Sequence, residues 1–269
     1  MNEKHQFMAS YQAALQAPPQ QSNFGVAPSK YSFSVNDLMQ AAEKKLTMVP
    51  IRIDVETDGV KWRDTFTWNL NEAIITPDQF AKALCDDVAL TPLLIPLISA
   101  QIKEQLEDYR NHAPELIGTD ETATRGNDSI DDGEKDLAEL RIIIKLDITI
   151  DQQCINDQFE WDMACRRNNP EIFADTLVSE LGLYPEFKTA IAHSIREQIH
   201  SAKKSLLVAN HDFGTGQIKD ENVAAMFLPP LGSTVKRTAK EINEFGPFFS
   251  VASATEIEKM EKDLERETR

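Results

Sequence analysis

Cysteine is scarce: Cys85, Cys154 and Cys165 are the only three in 269 residues, and no Cys-x-x-Cys occurs. An odd, widely spaced set argues against a disulfide framework or a thiolate zinc site and fits a reducing compartment. Long apolar runs are missing as well. None approaches the roughly 18 residues of a membrane span, and the N-terminal stretch has no apolar signal core, so a soluble intracellular protein is expected. Positive charge is in short supply: 28 Lys and Arg stand against 44 Asp and Glu, for a net charge of −16 and a pI near 4.7. Such a chain does not follow phosphate backbones over a broad surface, so little direct DNA binding is expected. Basic protein partners, or one local basic element, remain compatible. The phosphate-loop, dinucleotide and hydrolase signatures GxxxxGK(S/T), GxGxxG and GxSxG are absent. NDSIDDG at 127–133 lacks the alternating acids and closing Glu of an EF-hand loop. The five histidines are scattered. Neither enzymatic activity nor a metal or other cofactor is expected.

What is present is a repeat. Asp64-Thr-Phe66-Thr-Trp68 returns 93 positions later as Asp157-Gln-Phe159-Glu-Trp161, and the register holds without a gap over two long blocks. Ile51, Asp54, Pro77, Phe80, Leu84, Leu90, Pro92, Ile98, Ile102 and Gln105 fall on Ile144, Asp147, Pro170, Phe173, Leu177, Leu183, Pro185, Ile191, Ile195 and Gln198. This reads as a tandem duplication. Each copy predicts a strand–strand–helix–helix unit, so the fold class expected is α+β: two tandem ββαα repeats joined by an acidic linker, with a C-terminal helix and a largely irregular N-terminal tail. VPIRIDVET alternates with period two, Asp58-Gly59 makes a tight turn, and KWRDTFTWNL returns. Thr76-Pro77 opens a helix as N-cap and first turn, and Thr91-Pro92 repeats that signal before a longer helix. The expected boundaries are a tail with a short helix over 1–46, repeat 1 over 47–110, linker 111–139, repeat 2 over 140–204, an extended strap over 205–252, and a helix over 253–269. Phe245, Phe248 and Phe249 in the strap suggest a segment lying along a partner.

On a return strand, Phe66 with Trp68 and Phe159 with Trp161 share one face and are expected to build cores, while Asp64 and Asp157 hydrogen-bond backbone amides at the hairpin or helix ends. The alternative, catalysis by Asp54 with Asp64 and Asp147 with Asp157, lacks a His, Lys or nucleophile at any recurring position.

VPIRIDVETDGVKWRDTFTWNLNEAIITPDQFAKALCDDVAL, then IIIKLDITI, DQFEWDM and EFKTAIAHSIREQI, resemble the paired repeats of the sucrose-non-fermenting-five / integrase-interactor-one family. These are core subunits of the SWI/SNF and RSC chromatin remodelling complexes. The resemblance covers roughly residues 47–205, and segment 205–233 resembles fungal members more than animal ones. The short tail, with no room for the winged-helix domain of animal members, points to the shorter RSC-type paralogue, which is favoured, or to a trimmed chain. The family resemblance implies a non-catalytic nuclear subunit whose repeats dock on SWIRM-containing scaffold subunits of an ATPase-bearing remodeller. For the last segment, spacing alone predicts a solvated helix laced with Glu258–Lys262 and Glu265–Arg269 pairs, begun by Ser253 or Thr255. The resemblance implies instead that Lys259, Lys262, Arg266 and Arg269 bind the acidic patch of the histone octamer. Glu261, Leu264 and Glu267 depart from the more basic animal version. A free-standing adaptor that captures partner strands on exposed strand edges is the alternative function.

Overall fold

The computed structural model describes residues 33–44, 46–116, 139–165, 167–211, 218–229, 231, 237–253, 255, 256, 259, 262 and 266. The expected tail before residue 33, most of the acidic linker, and Arg269 lie outside the described residues.

A short helix, α1 (Val35–Glu43), begins at Ser34, whose hydroxyl accepts from the Asp37 amide. Then β1 (Met48–Thr57) and β2 (Val60–Asn69) pair antiparallel, followed by α2 (Pro77–Asp87) and α3 (Leu94–Leu116). The same order returns with β3 (Arg141–Ile150), β4 (Gln153–Asp162), α4 (Pro170–Leu181) and α5 (Glu186–Val208). Two small antiparallel sheets covered by helices make this an α+β fold.

Local chemistry accounts for these elements. Asp58 (φ 50°) and Gly59 (φ 77°) supply the positive φ that a two-residue hairpin turn demands. Val49, Ile51, Ile53 and Val55 alternate into the core. Pro50 interrupts no ladder bond, because the main-chain groups at positions 50, 52 and 54 face away from β2. Thr76 and Gln79 form a reciprocal capping box, and Asn169 caps α4 through the Ile172 amide. At the other end of α4, Gly182 adopts the left-handed conformation (φ 64°) that stops the helix. The Thr91-Pro92 signal acts differently from expectation. Those residues make a tight turn, with Leu94 N–H donating to Thr91 O (3.1 Å), and α3 starts only at Leu94.

Contacts recur at the 93-residue spacing. Leu70 N–H reaches Thr47 O and Met163 N–H reaches Leu140 O, each at 2.8 Å. Lys103 pairs with Asp78, and Arg196 with Glu171. Both members of that pair change identity between units while the charges stay opposed, tying the long helix to the first turn of the shorter one. There are two cores: Val49, Ile51, Ile53, Ala81, Leu94, Ile98 and Ile102 in the first, and Ile142, Ile144, Leu146, Ala174, Phe187, Ile191 and Ile195 in the second.

Strand edges carry specific covers. The Gln105 amide accepts from Arg52 N–H (3.0 Å) and donates to Arg52 O (2.8 Å). Gln198 does the same to Lys145 (3.0 and 2.8 Å), and Gln101 to Asp54 (3.1 and 2.8 Å). A side-chain amide thus stands in for a neighbouring strand along β1 and β3, which blunts edges that would otherwise template pairing.

The expected strap is shorter and more structured than the sequence suggests. Helix α5 runs to Val208, and α3 extends to Leu116, six residues into the expected linker. Beyond α5 come α6 (Glu221–Ala224), α7 (Ala239–Phe245) and β5 (Phe248–Val251). Strand β5 pairs antiparallel with β4, Phe249 opposite Ile155, giving the second unit three strands. Phe249, Ile218, Val223 and Phe227 pack on the second core, and Arg141 anchors the segment by donating to Pro229 O at 2.8 Å. Of the strap's aromatic residues, Phe227 and Phe249 meet that core, while Phe245 and Phe248 stay exposed.

Candidate interaction surface

The DxFxW aromatics pack against a ring of the following helix. Trp68 meets Phe80 edge-on (centroids 5.3 Å, 87°), and Phe66 lies 4.9 Å from the same ring. In the second unit Trp161 meets Phe173 at 5.6 Å and 89°, with Phe159 at 4.5 Å. The aspartates bind backbone within the strand rather than at the hairpin or helix ends: Asp64 accepts from Thr65 N–H and Asp157 from Gln158 N–H, both at 2.8 Å. Burial raises both carboxyls above the usual range, against the pull of those amides. Asp54 lies on the opposite sheet face from Asp64 and pairs with Arg63 (2.9 Å), so the geometry does not assemble a carboxylate dyad. Among the described residues no group of three or more His, Cys, Asp or Glu is placed to hold a metal ion.

The C-terminal segment opens with a capping box. Ser253 Oγ accepts from Glu256 N–H (3.4 Å), while Ser253 N–H (2.8 Å) and the Ser253 hydroxyl (2.7 Å) both donate to Glu256 Oε2 and hold that carboxyl below its ordinary range. Of the two expected caps, Ser253 takes the role. Lys259, Lys262 and Arg266 sit on helical backbone and are exposed; their spacing of three and four puts them on one side.

The surface that sequence reasoning missed lies between the units. Helix α5 of the second unit packs on the outer face of the β1–β2 hairpin and against α3. His193, 3% exposed, donates from Nε2 to the Ile51 carbonyl at 3.1 Å. Arg52 grips Glu197 through Nε and a terminal nitrogen (2.9 and 2.8 Å). Burial opposes ionisation of Glu197, but the guanidinium outweighs it and the carboxyl lies below its usual range. Lys204 donates to Asp108 at 2.7 Å, and His200 stacks on Tyr109 (3.9 Å, 18°). His193, Glu197, His200 and Lys204 form one stripe along α5, and their counterparts 93 positions earlier are Ala100, Glu104, Glu107 and Asn111. The signal was present as a helical stripe that breaks the repeat, three of its four residues differing from their counterparts. A cleft of about 550 Å³ opens beside this contact, lined by Arg63, Asp64 and Thr65 from one unit and Asp147 and Thr149 from the other.

Burial depresses both interface histidines, His200 to about 4. Asp108 favours its charged form, while Lys204 and His112 oppose it. Between about pH 6.5 and 4 the unfolded chain therefore binds protons that the folded chain refuses, so this contribution is complete above pH 6.5 and fades on acidification. Urea midpoints are expected to fall from pH 7 to pH 5, and His200→Phe, which keeps the stack, is expected to flatten that slope. An unchanged slope would mean that the imidazole is not held neutral at the contact.

The protein-family model described as "SNF5 / SMARCB1 / INI1" matches residues 41–269. A protein of Schizosaccharomyces pombe called SWI/SNF chromatin-remodeling complex subunit snf5 is 35% identical over 262 residues, covering 89% of this chain and 41% of its own length. The SWI/SNF chromatin-remodeling complex subunit SNF5 of Saccharomyces cerevisiae is 36% identical over 229 residues, covering 82% of this chain and 24% of its own length. The chain thus spans less than half the length of these two relatives. Against the chromatin structure-remodeling complex protein BSH of Arabidopsis thaliana the identity is 31% over 263 residues, covering 91% of this chain and 99% of that protein.

Proposed function

Because the chain belongs to the SNF5 / SMARCB1 / INI1 family, we propose that it is a non-catalytic subunit of an ATP-dependent chromatin remodelling complex in the nucleus. The observation that carries this reading is the family match, which runs through both ββαα units and the C-terminal segment without interruption. The units are read as tandem copies that dock on SWIRM-bearing scaffold subunits, while a separate ATPase supplies the motor. The C-terminal helix then anchors the nucleosome, with Lys259, Lys262, Arg266 and Arg269 on the histone acidic patch. Exposure of the first three on one side of a capped helix supports that role, and guanidinium forks suit carboxylate clusters.

Free-standing capture of strands by both units is less well supported. Glutamine amides cover β1 and β3, and β5 covers part of β4. Affinity isolation of the tagged chain from nuclear extract separates the two readings. Recovery in one large ATPase-containing assembly is expected; a spread of small, varied assemblies would defeat the remodeller reading.

A further inference from the structure

The two units differ at one strand edge. In the second, Lys145 turns both main-chain groups towards Gln198, so Cys154, Asn156 and Gln158 across the ladder turn theirs outward. All three are served. Cys154 and Asn156 pair with Ser250 and Phe248 of β5. Gln158 N–H is held by Asp157, and Gln158 O accepts from the Arg237 guanidinium at 2.6 Å. Arg237 also donates to Phe245 O (2.8 Å), fixing the segment that leads into β5, and Phe249 packs on the second core.

In the first unit the equivalent edge belongs to β2. Arg52 and Asp54 turn their main-chain groups to Gln105 and Gln101, so Lys61, Arg63 and Thr65 turn theirs outward. Thr65 N–H is held by Asp64, as in the other unit. Here the likeness ends. Among the described residues no strand pairs with β2 on this side and no arginine reaches Thr65 O. Val60, Lys61 and Arg63 are exposed. Trp62, in the place of Ile155, has a buried indole Nε1 with no hydrogen-bond partner among the described residues. The cleft between the units runs past Arg63, Asp64 and Thr65, which gives a second chain room to approach.

We propose that the outer edge of β2, from Val60 to Thr65, is a docking site for an extended peptide of a partner protein, which places an aromatic residue beside Trp62 and an arginine against the Thr65 carbonyl and the Asp64 carboxylate. The occupant's chemistry follows from what fills the matching edge of the second unit: an antiparallel strand with one aromatic residue turned to the core, and a guanidinium on the next outward carbonyl. Main-chain pairing supplies the affinity of such additions, and the alternate side chains supply selectivity. The inference does not depend on membership of a remodelling complex.

The test uses the whole chain, whose own β5 occupies β4, and a synthetic peptide copying residues 237–251, RTAKEINEFGPFFSV. Saturable binding is expected, with amide shifts at Lys61 and Arg63. Methylating the peptide nitrogens at the Phe248 and Ser250 positions removes the two donors that face the edge and is expected to weaken binding at least about tenfold. Methylation at Phe249, whose N–H faces away, is expected to leave affinity within about twofold. Arg237→Ala in the peptide is expected to cost about tenfold. Lys61→Pro in the protein removes only an outward donor and is expected to abolish binding. The proposal is overturned if the peptide does not saturate, or if it shifts Cys154 and Asn156 instead by exchanging with β5. It is equally overturned if all methylated peptides bind alike, or if the free chain self-associates through this edge and excludes the peptide.

Discussion

Trp161→Ala is expected to lower the unfolding free energy by about 3–5 kcal/mol. The indole is 6% exposed, lies opposite Ile142 across the ladder, and meets Phe173 edge-on, so truncation leaves a hole bounded by rings that cannot collapse into it. Domains of this size have total stabilities of about 5–15 kcal/mol, so the second unit should be largely lost under mild denaturant. Asp157→Asn is the informative partner. Its amide oxygen can still accept from Gln158 N–H, and removing a half-buried charge offsets some of what is lost, so the expected change is below about 1 kcal/mol. Urea titrations of both variants decide the matter. A tolerant Trp161 would mean that its ring carries little of the core, and an intolerant Asp157 that its charge is needed to hold the strand.

The second large effect concerns the C-terminal helix. Reversing Lys259, Lys262, Arg266 and Arg269 to Glu is expected to weaken nucleosome binding by the assembled complex about a hundredfold, roughly 2.8 kcal/mol. Four attractive charges become four repulsive ones against carboxylates. The arginines should dominate, because a planar guanidinium grips a carboxylate through two bonds where an ammonium offers a point charge. Ser253→Ala separates helix formation from contact. It removes the hydroxyl that accepts from Glu256 N–H and should cost about 1 kcal/mol of helix stability without touching a cation. Unchanged nucleosome affinity in the reversed variant would defeat the anchor.

Period-two patterning placed the strands, because buried positions on a two-stranded sheet leave no freedom of register. Thr76-Pro77 and Pro170 placed α2 and α4, because capping chemistry is local. Two features were not legible. The turn at Thr91 delays α3, because the same Thr-Pro pair suits a tight turn as well as a helix start. Strand β5 looked like surface for a partner, since FFSV carries no sign of which edge will receive it, and its match on β4 exists only in three dimensions. His193 and His200 show no ligand spacing and no histidine counterpart 93 residues earlier, because a contact between unlike neighbours sits where the two units differ.

That asymmetry also bears on whether further units could stack. Helix α5 covers the outer face of the first hairpin, while the corresponding face of the second leaves Ile143, Lys145, Asp147 and Asn156 exposed. A head-to-tail contact of this kind is open-ended: another helix like α5 could seat there, and so on along a fibre. Most residues that make the contact are not repeated. Where the first unit meets α5 with Asp108 and Tyr109, the second carries Ser201 and Ala202, and the helix a neighbouring copy could offer has Ala100 and Asn111 where α5 has His193 and Lys204. The Asp108–Lys204 and Tyr109–His200 pairs that join the first unit to α5 therefore have no counterparts on the outer face of the second, so the same contact is not continued there.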